Sequence, residues 1–170
     1  ILYSVFTQFL GFAFAMDEYK VMGLAPYGNP RRYFKEVMQL VELTGDGTYR
    51  VPVLFQNHSD EEKETYAGTL AVLTDLFGPP RSPEGPMEQR DKDIAAALQS
   101  VLEAALLHML RRFRKETGAT NLCMAGGVAL NCTANGVIKR SGLFDHTFVQ
   151  PAAGDDGTAI GAALYAERLN

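Results

Sequence analysis

Six residues have types and neighbours suited to chemistry. Gly126-Gly127 sits where a short apolar run, residues 121–125, hands over to a helical pattern. Glycine lets a backbone approach a ligand closely, and a helix N-terminus offers unpaired N–H groups and positive potential. That combination suits a nucleotide, although glycine at such a junction also serves the turn alone. Asn131 falls about one turn into the helical pattern, where its amide can meet a ribose or base or simply face solvent. Asp155 and Asp156 stand between Gly154 and Gly157, ahead of an Ala/Gly-rich helical pattern. One Asp can cap that helix while the other complements its dipole. Only one cap is needed, so the adjacent carboxylate is a candidate ligand for a divalent metal or a metal-bound water. Two carboxylates do not complete a metal site, so further donors must come from elsewhere. Lys20 lies among acids before a rigid turn; it is compatible with positioning a phosphate or a loop, although a lysine taken in isolation there is usually solvated.

The elements that must carry these residues follow from periodicity and punctuation. Residues 1–12 read as a short helix broken by Gly11, and 19–24 as a second, closed by the rigid turn Ala25-Pro-Tyr-Gly-Asn-Pro30. Residues 31–44 read as a helix ended by Gly45-Asp46-Gly47. Residues 49–55 have a β-rich composition that Pro52 limits to an edge strand. Residues 61–76 read as one helix and 77–87 as a Pro/Gly loop. Apolar residues from Ile94 to Phe113 recur mostly at three- and four-residue spacing, which predicts a long amphipathic helix over 91–116. Strand 121–125, helix 128–140, strand 147–150 and helix 158–169 then make a β-α-β-α unit with a parallel pair. Ala159, Gly161, Ala162 and Ala163 give the last helix a small-residue surface able to pack closely on a sheet.

Composition narrows the function classes. With 170 residues, the chain is the size of one domain. A net charge of -4 with interspersed signs argues against a nucleic-acid surface. Cys123 and Cys132, nine positions apart, form no CxxC pair and read as buried or half-buried thiols in a reducing cytoplasm. No run approaches the roughly 20 apolar residues of a membrane span. The opening residues resemble the middle of a helix rather than a leader, as though cut from a longer protein. His58, His108 and His146 form no HxxxH pair, and His108 borders the long helix's apolar stripe as a packed, satisfied side chain. Arg81, Arg90 and Lys92 flank the Pro-rich loop and could clamp an anion, or be solvated. Ser4 and Ser100 have no nucleophile–base motif around them, and no catalytic residue is identified.

Three stretches are more specific than composition: Glu18-Tyr-Lys-Val-Met-Gly-Leu-Ala-Pro-Tyr-Gly28, Ala125-Gly-Gly-Val-Ala-Leu-Asn131, and Gln150-Pro-Ala-Ala-Gly-Asp-Asp-Gly-Thr-Ala-Ile-Gly-Ala-Ala163. Leu2-Tyr-Ser4 and Asp93-Ile-Ala-Ala-Ala-Leu-Gln99 add to them. Together they resemble the carbamoyltransferases that modify nodulation factors, cephalosporins and aminoglycosides. The resemblance implies an α/β fold, the helix-rich second lobe of an actin/hexokinase-like ATPase domain related to the tRNA threonylcarbamoyladenosine enzyme. It implies a single domain over 1–170, with the preceding lobe and a C-terminal YrdC-like domain absent, and a fragment inactive by itself. ATP and carbamoyl phosphate would give a carbamoyl-adenylate, whose carbamoyl group passes to a hydroxyl of a sugar or small-molecule acceptor. Gly126, Gly127 and Asn131 would face the nucleotide; Lys20 stands beside them as a nucleotide-binding candidate on its local surroundings alone. An iron-type divalent metal, Fe(II), would be held by one of the paired aspartates. The related tRNA enzymes carry the ligand as Asp-Asn-Ala-Ala-x-Ile; Ile160 stands five positions after Asp155, which makes Asp155 the preferred ligand and Asp156 the second choice. The other ligands, an HxxxH pair, would lie in the preceding lobe. No nucleic-acid or membrane partner is implied, and a homodimer is compatible with this reading. The alternatives are an actin-like domain of another activity, such as a sugar kinase or tRNA-modifying enzyme, and a non-catalytic nucleotide-binding fragment.

Overall fold

The computed structural model describes residues 1–169 as a helix-rich α/β chain with two small sheets. It divides into two compact units, with the boundary after Met109.

The first unit is built around aromatic and branched side chains. Helix α1 (Leu2–Phe9) places Val5, Phe6 and Phe9 in the core, and α2 (Glu18–Leu24) adds Val21. Pro26 lies in a 3-10 turn, Ala25–Tyr27, and a second such turn covers Pro30–Arg32. The helix expected over 31–44 is confined to α3 (Phe34–Met38). The chain then enters a hairpin, β1 (Glu42–Leu43) antiparallel to β2 (Tyr49–Arg50). The cause is local: Asp46 accepts hydrogen bonds from the Thr44 hydroxyl and from the Thr48 N–H and hydroxyl, and Gly47 adopts a φ of 82°. These bonds, the Thr44 hydroxyl first, hold the Asp46 carboxyl down at about 2. The expected edge strand therefore keeps two residues, because Pro52 starts a 3-10 helix, Pro52–Gln56.

The helix expected over 61–76 is two. Helix α4 (Asp60–Thr65) begins with a complete capping box between Ser59 and Glu62, and α5 (Ala67–Phe77) follows after Tyr66 turns left-handed at φ 57°. Tyr66 stacks on Phe14 with ring centroids 5.3 Å apart. At the end of α5, Phe77 meets Phe6, Phe9 and Tyr33, the last edge-on at 5.4 Å. Phe6 and Phe9, both fully buried, each contribute roughly 1.5–3 kcal/mol by leaving water.

Helix α6 (Gln89–Thr117) is the long helix the periodicity predicts, and the unit boundary falls within it. Its Ile94, Ala95, Ala97, Leu98 and Val101 close the first core. Contrary to the sequence expectation, its length and composition would suffice for a membrane span, with a mean hydropathy of 1.3 over its most apolar window. Its burial explains that composition, since the apolar residues of its first turns are core residues. His108 sits as expected, its Nε2 2.9 Å from the Thr44 carbonyl oxygen.

The second unit has the expected alternation. Strand β3 (Asn121–Met124) pairs in parallel with β4 (His146–Val149), in register Asn121 with His146. Between them, residues 128–140 are not one helix: a 3-10 turn, Gly127–Leu130, precedes α7 (Cys132–Arg140), which buries Ala134 and Ile138. Helix α8 (Gly157–Leu169) has no buried residue, so its small-residue surface does not pack on the sheet within this unit. A two-stranded sheet presents too narrow a face to cover two helices. Cys123 and Cys132 are exposed, correcting the buried thiols expected from their type.

Candidate functional site

Two loops meet at the carboxyl end of the parallel pair. The first leaves β3 through Ala125 and Gly126; the second leaves β4 through Gln150 and reaches Asp155 and Asp156. The Gln150 N–H donates to the Met124 carbonyl at 3.2 Å, and the Gly126 N–H donates to the Ala153 carbonyl at 2.7 Å. Leu130 lies close to Gly154 across the same space. Sequence-distant Gly126, Gly127, Asn131, Asp155 and Asp156 thus come from two loops hydrogen-bonded side by side. Ligands of parallel α/β sheets characteristically bind outside the carboxyl ends of the strands.

The glycines differ in their demands. Gly126 has φ 96° and ψ 161°, a backbone conformation that side-chain-bearing residues avoid. Gly127 has no such φ, and a Cβ built on it would meet nothing within 4 Å. Nothing described in this chain requires position 127 to be glycine. The helix N-terminus expected directly behind the pair is displaced, because the 3-10 turn intervenes.

Asn131 is not inside the helix, as its spacing suggested, but at its N-cap. Its Oδ1 accepts the Ala134 N–H at 2.9 Å. Asn135 braces the preceding turn by donating to the Ala129 carbonyl at 2.7 Å. Sequence reasoning passed over Asn135, and only its sixth-residue contact marks it.

Asp155 and Asp156 are exposed, and their side chains make no hydrogen bond or ion pair among the described residues. It is the Asp155 carbonyl, not its carboxylate, that accepts from the Thr158 N–H and hydroxyl, at 3.1 and 2.6 Å. Two hard carboxylate oxygen donors suit a divalent ion. No group of three or more His, Cys, Asp or Glu side chains gathers among the described residues. The pair fits a share of a metal site and not a whole one.

Lys20 belongs to the first unit. Its ammonium pairs with Asp17 at 2.9 Å and lies over the Phe12 and Tyr19 rings at 5.9 and 5.8 Å. Asp17 also accepts the Ala13 N–H, and that bond, with the one from Lys20, lowers its pKa; the same ion pair raises that of Lys20. The Lys20 side chain is tethered yet 43% exposed. Arg81 and Arg90, considered for an anion clamp, are committed internally. Arg81 donates to the Leu10, Gly11, Pro83 and Gly85 carbonyls, and Arg90 pairs with buried Asp91 and reaches the Phe77 carbonyl.

The family model described as the carbamoyltransferase N-terminus matches residues 1–164. The chain belongs to the carbamoyltransferase family. Among relatives of this carbamoyltransferase chain, nodulation protein NolO of Bradyrhizobium diazoefficiens is 49% identical over 148 residues, covering 87% of this chain and 24% of NolO. Nodulation protein NolNO of Sinorhizobium fredii is 42% identical over 164 residues, 96% of this chain and 22% of that protein. An uncharacterised protein of Synechocystis is 47% identical over 165 residues, 96% of this chain and 26% of its own length. The chain therefore spans about a quarter of the length of the curated relatives it matches.

Proposed function

We propose that the complete protein is an ATP-dependent O-carbamoyltransferase and that this chain supplies part of its nucleotide site, within an actin-like ATPase domain. Water cleaves carbamoyl phosphate to carbamate and phosphate; a carbamate oxygen then attacks the α-phosphorus of ATP, and pyrophosphate leaves as the carbamoyl-adenylate forms. A hydroxyl of a sugar or small-molecule acceptor then attacks the carbamoyl carbon. The new C–O bond forms as the bond to the adenylate phosphate oxygen breaks, AMP leaves, and the hydroxyl loses its proton.

The observation that carries this reading is the open Gly127 turn beside two uncommitted carboxylates at the carboxyl end of a parallel pair. Gly127 leaves room for a phosphate or ribose to approach backbone. Asn131, already ordered by its cap, would hydrogen-bond the nucleoside through its amide. A divalent metal of the iron type, held by Asp155 with Asp156 as second choice, would supply positive charge against the phosphates when bound. The chain's own contribution is to bind and orient, which removes entropy from the barrier before the acceptor reacts.

The test uses the complete protein with ATP, isotope-labelled carbamoyl phosphate and a panel of hydroxyl acceptors, followed by mass spectrometry. The expected products are AMP and a carbamate ester. ADP with a phosphorylated acceptor, or modification of tRNA without transfer to small hydroxyl compounds, would replace this reading with a kinase or a tRNA-modifying enzyme.

A further inference from the structure

The Gly127–Leu130 turn is held at its start, its centre and its end. At the start, the Gly126 N–H donates to the Ala153 carbonyl at 2.7 Å. At the centre, Ala129 is buried while Val128 and Leu130 on either side are exposed. At the end, Asn131 caps α7 by accepting the Ala134 N–H. One residue ties the turn and the cap together. Asn135 donates from Nδ2 to the Ala129 carbonyl at 2.7 Å, and its backbone N–H donates to the Asn131 carbonyl at 3.0 Å. Two windings meet here. The Asn131 N–H closes a 3-10 turn onto the Val128 carbonyl at 3.0 Å, whereas the Asn131 carbonyl begins the α winding by accepting from Asn135. The Ala129 carbonyl lies on the 3-10 side of that change, and the Asn135 amide reaches it from inside the helix.

Asparagine is a weak helix former, because its amide competes for backbone groups. Within α7 the Asn135 amide takes its backbone acceptor in the preceding turn. An apolar side chain of similar size would fill the same space, but a hydrogen bond also sets a direction. We infer that Asn135 is a positioning residue, which fixes the Gly127–Leu130 turn through Ala129 and so orients the backbone that Gly127 presents to the nucleotide. This rests on the reading of that turn as a nucleotide contact.

The experiment is a double-mutant cycle in the complete protein, with initial rates measured against ATP and melting temperatures recorded beside them. Asn135→Ala removes the donor at a position where alanine favours the helix, so α7 is retained. It is expected to raise the KM for ATP about five-fold with a smaller change in kcat, as loss of ground-state binding does. Asn135→Asp keeps the size of the side chain and lacks the donor; the same rise is expected, and it serves where the first variant does not accumulate. In a Gly127→Val background, itself raised in KM, Asn135→Ala is expected to add less than about two-fold, because coupled residues are not additive. A full further rise of about five-fold in that background overturns the positioning role while sparing the Gly127 contact. An unchanged KM in Gly127→Val alone overturns the nucleotide reading of the turn and the positioning role with it. A lowered melting temperature with KM unmoved in both Asn135 variants overturns the positioning role and leaves the brace purely structural.

Discussion

Asn131 joins stability and binding in one side chain, and two substitutions separate them. Asn131→Ala removes the acceptor for the Ala134 N–H and should cost about 1 kcal/mol, as loss of a helix cap does. Asn131→Asp keeps the acceptor, so its melting temperature should stay near that of the parent while ATP affinity in the complete protein falls. Equal ATP affinity in the Asp variant and the parent would remove the amide from the nucleotide site. Gly127 gives the complementary case. Its would-be Cβ faces open space, so Gly127→Val should leave thermal stability nearly unchanged and weaken ATP binding, read by calorimetry. Gly28 is the opposite: a Cβ there would collide with backbone that has no flexible end to move. Gly28→Ala should cost at least about 3 kcal/mol, in the range of severe overpacking, and show as a large drop in melting temperature or loss of soluble protein.

At the scale of elements, the buried Asp93 carboxylate of α6, which accepts from Asn29, Gln89 and Arg32, makes an acid-sensitive joint with the turn after α2. Burial alone would raise the Asp93 pKa, but the Asn29 N–H, Gln89 and Arg32 together hold it below its ordinary value of 3.8. A carboxylate lowered on folding stabilises the fold above its unfolded pKa, and that contribution is lost as pH falls through the folded pKa. Stability measured by denaturant titration should therefore fall below pH ~4, and Asp93→Asn, less stable at neutral pH, should fall less steeply over the same range. Parallel slopes for both proteins would mean that other carboxylates dominate the acid limb.

On the whole-molecule scale, the division of labour follows from incomplete sites. The second unit brings two carboxylates and a glycine turn together, and no third metal-ligating side chain joins them among the described residues. ATP titrated into this chain alone should bind at least about ten-fold more weakly than to the complete protein, a loss of roughly 1.4 kcal/mol or more. Removing divalent metal with a chelator should weaken binding to the complete protein and leave the chain alone little changed. Equally tight, chelator-sensitive binding by both would show that this chain holds the whole site.

The sequence by itself determined the features that depend on near neighbours. The 3.6-residue recurrence from Ile94 to Phe113 marked α6, and the alternation of apolar runs with Ala/Gly-rich helices marked β3, α7, β4 and α8 with their parallel pair. The motifs at Glu18–Gly28, Gly126–Asn131 and Asp155–Asp156 marked the family, which the match over residues 1–164 bears out. Tertiary structure decided what depends on groups far apart in the chain or on competing local bonds. The Asp46 turn converted the end of an expected helix into a hairpin, and Tyr66 broke another helix where its ring could stack on Phe14. Asn131 became a cap because the chain winds first as a 3-10 turn. The bond from Gly126 to Ala153 and the clamp from Asp93 to Asn29 join residues with no spacing rule between them. Periodicity reports which face of an element is apolar; only the folded chain reports which face it meets.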